Sequence, residues 1–182
     1  MKKSYKKMVF AAVCLALCLV LPFLTGQIPR IGKALSPMHI PVLLCGFIAG
    51  PGYAAAVGAI APLLRFALFG MPTIFPTGLA MCFELAAYGA LSGMFYAVFP
   101  KKPWSVYASL ILAMLGGRAV WGAVTAVLLA GSDSPFTWKA FIAGGFTNAI
   151  PGIIVHIVLI PLIVFALERA GFMRERTPLR NE

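Results

Sequence analysis

Five residues in this chain could recognise a small molecule from within strongly apolar surroundings: Arg65, Glu84, Arg118, Asn148 and, at the start of an apolar run, His39. Guanidinium groups grip carboxylates or phosphates through a bidentate fork, while an amide and an imidazole pair with hydroxyl and amide groups. Two arginines face one glutamate. If Glu84 holds one of them, the other still needs an acceptor, and a ligand carboxylate or phosphate would supply it. The count therefore points to a mildly anionic or zwitterionic solute. The alternative is an Arg–Glu pair that satisfies itself and staples helices together.

Catalytic chemistry is harder to assemble. His156 lies between Pro151 and Pro161 with no acid near it in sequence, so it reads as a packing histidine and not a proton relay. The two histidines are expected at opposite depths and make no metal site. Ser92, in "LSGMFY", lacks a supporting nucleophile motif, and neither H-E-x-x-H nor a Walker A loop is present. No cofactor is implied. An intramembrane enzyme or a stand-alone ion-coupled carrier is the rival class to a solute-binding subunit.

The elements that must position these residues follow from composition. Of 182 residues 61% are hydrophobic and only 11% charged, and the mean hydropathy is +0.94, which excludes a soluble core. Stretches such as "MVFAAVCLALCLVLPFL" are apolar on every side, unlike the alternating strands of a β-barrel, so an all-α membrane bundle is expected. The net charge of +10 sits at the ends of apolar runs and marks topology, not a nucleic-acid surface.

Gly, Pro and charge clusters divide the chain into six candidate spans, about 8–25, 39–50, 53–70, 77–99, 104–130 and 138–167, forming one domain over 1–182. The second is short for a crossing and is set off by "GPG" at 50–52. "MKKSYKK" and the apolar run after it read as an uncleaved first helix. With the N-terminus inside, the cytoplasmic side gathers Lys2, Lys3, Lys6, Lys7, Lys101, Lys102, Arg169, Arg174, Arg176 and Arg180. The outer side holds Arg30, Lys33 and Lys139, so both termini are expected in the cytoplasm.

Depth follows from the helical rise of about 1.5 Å per residue. Arg65 comes out roughly 18 Å and Arg118 roughly 21 Å above the inner face, with Glu84 roughly 10 Å and Asn148 roughly 14 Å below the outer one. These four share a slab in the outer half, and His39 is expected at the outer surface above it. "FGMPTIFPTG" (69–78) and "GSDSPFTW" (131–138) read as stiff outer loops that could close over a ligand or form an interfacial aromatic belt.

Small residues spaced by four, Ala12/Ala16, Gly46/Gly50 and Gly89/Gly93, favour close helix contact, either within the bundle or with a partner protein. Cys14, Cys18, Cys45 and Cys82 read as small packing residues.

Four features together resemble the substrate-binding S component of energy-coupling factor (ECF) vitamin transporters. They are the length and six-span layout, the A-x-x-x-A of Ala12 and Ala16, "SPMHIPVLLCGFIAGPGYAAAVGAIAPLLRFALFG", and "FELAAYGALSG". The resemblance implies a multi-pass protein of a bacterial or archaeal plasma membrane that captures a vitamin or related micronutrient from outside. It implies partners too: a membrane coupling (T) subunit docking on the Ala12/Ala16 face, and two ATPase subunits. Pantothenate is the first candidate, having a carboxylate for an arginine and hydroxyl and amide groups for Glu84 and Asn148. A pyridoxine-type or other heterocyclic precursor is the second.

Overall fold

The computed structural model describes residues 2–24, 35–100, 102–131 and 136–173. The described residues are helical and contain no strand. Helix α1, Lys2–Leu24, buries Ala11, Cys14 and Cys18 along one stripe and exposes Val9, Val13, Leu17 and Val20 on the other face. Ala12 and Ala16 are exposed as well. The Gly46/Gly50 and Gly89/Gly93 motifs, by contrast, lie inside the bundle.

Helix α2, His39–Ala49, is buried over most of its length, from His39 and Pro41 through to Ala49. Its 11 residues rise only about 16 Å, half of a hydrocarbon core. It ends at Gly50, whose φ of 97° favours glycine, and Pro51 opens the next helix at the position where a missing N–H costs least. That helix, α3, Pro51–Phe69, turns Ala54, Val57, Gly58, Ala61, Pro62 and Arg65 to the interior, a spacing that traces one helical face. It closes on Gly70 at φ 70°, whose N–H reaches Phe66 O at 2.8 Å.

An irregular turn, Ile74–Gly78, leads into α4, Leu79–Val98. Helix α5, Pro103–Leu129, follows. Helix α6, Trp138–Gly145, is capped by the Thr137 hydroxyl, which accepts from Ala140 N at 3.2 Å. A tight turn, Thr147–Ala149, separates it from α7, Ile150–Arg169. The predicted sixth span is thus one stretch with a break about a third of the way along it.

Among the described residues five stretches are long and apolar enough to cross a membrane: Ser4–Leu24, Pro51–Phe69, Ile74–Val98, Pro103–Leu129 and Trp138–Arg169. The second predicted span, α2, is too short to cross alone and is instead enclosed by α1, α3, α4 and α7. Its depth also differs from expectation. Its C-terminal end adjoins the start of α1, because a Cβ on Gly50 would lie 3.8 Å from Lys7 Nζ and the Ser4 and Tyr53 hydroxyls are 3.3 Å apart. His39 therefore lies about 16 Å into the bundle from the Lys7 end. It is level with Glu84, one of the residues it was expected to overlie.

Helix α4 organises the bundle by backbone contact. A Cβ on Gly46 would collide with Ser92 Oγ and sit 2.8 Å from Gly89 O and 2.9 Å from Gly93 N. One on Gly89 would sit 2.5 Å from Ala54 O, and one on Gly58 would collide with the Leu85 carbonyl. Such approaches maximise dispersion contact where lipid removes the hydrophobic drive between helices. Ser92 Oγ seals the crossing through Leu43 O at 3.3 Å and Gly89 O at 3.2 Å. All four cysteines are buried free thiols, and Cys18 Sγ donates to Met38 O at 3.6 Å.

Candidate functional site

Glu84 enters from the first turns of α4, on the stripe that also buries Leu85 and Tyr88, and is 2% exposed. At that burial a carboxylate needs a partner, and α5 supplies it: Arg118 Nη1 donates to Glu84 Oε1 at 2.7 Å. Glu84 thus holds Arg118, not Arg65. The start of α2 brings His39 Nε2 to 3.5 Å from the same carboxylate oxygen. That approach is close but not aligned as a hydrogen bond, and neither His39 ring nitrogen has a partner.

The neighbouring rings complete the cluster. Tyr88, one turn below Glu84, sets its ring edge-on to His39 with centroids 5.1 Å apart. It fits because Gly117 on α5 has no side chain; a Cβ there would lie 2.7 Å from the Tyr88 ring. His156, from the buried stripe of α7, stacks on His39 at 6.0 Å with an interplanar angle of 22°. It hydrogen-bonds the Ser36 backbone, and its Nε2 has no partner. The two histidines were expected at opposite depths and instead form one pair.

Above Arg118, the C-terminal end of α6 closes in. A Cβ on Gly145 would lie 3.9 Å from Arg118 Cδ, and one on Gly144 would lie 3.0 Å from the Trp121 ring. Trp121 meets Phe136 at 5.5 Å and Phe141 at 6.1 Å, and Phe141 also meets Trp138 at 5.1 Å and Phe146 at 5.8 Å. The second expected loop therefore contributes Phe136 and Trp138 to an aromatic cluster beside the ion pair; its residues 132–135 lie outside the described part.

Two sequence candidates are placed elsewhere. Arg65 is buried on α3, where its Nη1 donates to Leu19 O at 2.8 Å and its guanidinium lies 5.4 Å from the ring centroids of both Phe23 and Phe69. Arg65 thus ties α1 to α3 and does not join the Glu84 cluster. Asn148 is exposed in the Thr147–Ala149 turn, where the helix that was to carry it inward is broken.

His156 was read from the sequence as a packing histidine because the ring it stacks on, His39, arrives from another helix; its depth within an apolar run was the available signal. Among the described residues no group of three His, Cys, Asp or Glu side chains is placed to hold a metal ion. What the cluster offers is one carboxylate, one guanidinium and two imidazoles facing each other across four helices.

A helical bundle with apolar spans and a polar cluster enclosed at depth defines a polytopic membrane protein built around a polar site. Residues 6–164 match the family model of the ECF transporter substrate-specific component, and the chain belongs to that family. Its members are transporter subunits that associate with an ECF module, not a family of enzymes. No curated protein and no solved structure matches the chain.

Proposed function

We propose that this chain captures an extracellular vitamin or related micronutrient at the Glu84–Arg118–His39 cluster, with His156 as a fourth wall, and hands it to an ATP-driven ECF module. The carrying observation is a buried ion pair at 2.7 Å beside an imidazole with neither nitrogen engaged. Buried polar atoms without partners are uncommon and call for an explanation, and a bound solute supplies one. In this reading residues 1–182 form one domain with both termini cytoplasmic, in a bacterial or archaeal plasma membrane. The exposed Ala12 and Ala16 face the coupling subunit, and two ATPase subunits complete the complex.

Pantothenate stays the first candidate because Arg118 has further N–H donors beyond the one given to Glu84. A pyridoxine-type heterocycle gains weight, since Arg65 is committed to Leu19 and the arginine surplus that favoured an anion is smaller. Mass spectrometry of the small molecule retained after gentle purification names the solute. With that solute, Arg118→Ala and His39→Ala are each expected to weaken binding at least about tenfold, or about 1.4 kcal/mol. Unchanged affinity in both variants would remove the cluster from the binding site.

A further inference from the structure

The charges around His39 cancel. Helix α4 presents Glu84 and Tyr88, α5 presents Arg118, and α7 presents His156. On α1 the Cys18 thiol is turned to Met38 O, and the charge carried by α3, Arg65, is turned to Leu19 O. One anion and one cation 2.7 Å apart leave no net charge, and beside them stand two stacked imidazoles that are 4% and 3% exposed. Three of their four ring nitrogens have no partner.

Into this balance a carboxylate ligand would bring one uncompensated negative charge, which a low-dielectric interior resists strongly. The group placed to carry a compensating proton is His39, whose Nε2 lies 3.5 Å from Glu84 Oε1, an acceptor for a protonated ring. Only one ring of the pair would take a proton, because two cations with centroids 6.0 Å apart repel. An uncharged ligand needs no such compensation, since a neutral imidazole offers one donor and one acceptor.

We infer that the occupied site is electroneutral: an uncharged solute binds alone, and a carboxylate solute binds together with one proton, carried on His39 and held by Glu84. This rests on the cluster being the solute site. The bound carboxylate complex holds one proton more than its separated partners, so carboxylate affinity falls as pH rises, by up to about tenfold per pH unit.

The test is isothermal titration of the full chain in lipid nanodiscs with pantothenate, other carboxylate vitamins, pyridoxine and other uncharged vitamins. Each is run in two buffers of different ionisation enthalpy, so that the enthalpy difference counts protons. Carboxylates that bind are expected to take up about one proton, and uncharged vitamins that bind about none. In His39→Gln the uptake accompanying a carboxylate drops to about zero. A carboxylate bound by the wild-type chain without a proton, or an uncharged vitamin bound with one, overturns the inference and leaves the solute site standing; the wild-type titrations decide this even if the variant does not fold. If no vitamin binds and no small molecule accompanies the purified chain, the solute site itself falls, and the proton with it.

Discussion

Replacing Glu84 with Gln leaves the Arg118 guanidinium enclosed without its counter-charge. The side chains of Glu84 and Arg118 are 3% and 11% exposed and their charged atoms 2.7 Å apart. At an effective dielectric near 20, unit charges at that distance attract by about 6 kcal/mol, of which desolvation of the two ions takes back most. The pair as a whole is thus near break-even, but removing one member exposes the full penalty of the other, about 3–5 kcal/mol. Because Arg118 keeps slight access, the loss for Glu84→Gln is expected at the lower end, about 3 kcal/mol. The double variant Glu84→Gln/Arg118→Gln, which buries no charge, should be at least about 2 kcal/mol more stable than Glu84→Gln alone. Detergent-induced unfolding followed by tryptophan fluorescence reads all four corners of the cycle, with Trp121 close to the site as a reporter. Single-variant losses below about 1 kcal/mol, or a double variant equal to the sum of the singles, would refute the pairing argument.

Four other outcomes are expected. Gly46→Ala should destabilise the chain by about 1–3 kcal/mol in the same assay, because backbone atoms of Gly89 and Gly93 block the new methyl group. Gly52→Ala, with nothing within 4 Å, should stay within about 0.5 kcal/mol of wild type. Ala12→Leu/Ala16→Leu should leave stability and solute binding as they are and abolish cellular uptake; substantial residual uptake would move the docking face elsewhere. Arg65→Ala, losing a charged hydrogen bond and two ring contacts, should cost about 2–3 kcal/mol of stability. Its solute affinity should stay within about threefold, and a tenfold fall would return Arg65 to the ligand site.

The membrane-spanning helices were legible because apolar length and flanking Gly, Pro and charge are local signals. Predicted spans 53–70 and 104–130 lie within two residues of Pro51–Phe69 and Pro103–Leu129. Glu84 and Arg118 were picked out by depth and residue type and meet as an ion pair; His39 joins them although it was expected above them. Arg65 was misplaced because its partner is a main-chain carbonyl, Leu19 O, which no side-chain count can include. Asn148 was misplaced because a helical break between Gly145 and Ile150 carries little signal inside an apolar run. The His39–His156 stack escaped notice because it depends on how far α2 reaches, which the packing of α2 against its neighbours decides.

The shortness of α2 has a bearing on permeation. With Lys7 at the membrane face, the Ser36–Met38 turn above it would lie about halfway through a hydrocarbon layer of roughly 30 Å. Irregular backbone at that depth persists only where protein covers it or water reaches it. Whichever covers this turn, lipid tails do not, so the insulating part of this subunit is the half between His39 and Lys7. There the glycine-to-glycine crossing of α2 and α4, closed by Ser92, leaves no gap between backbones. If the proposed cluster holds the solute, half of the dielectric barrier lies behind it there, and the glycine crossing of α2 and α4 is part of what remains.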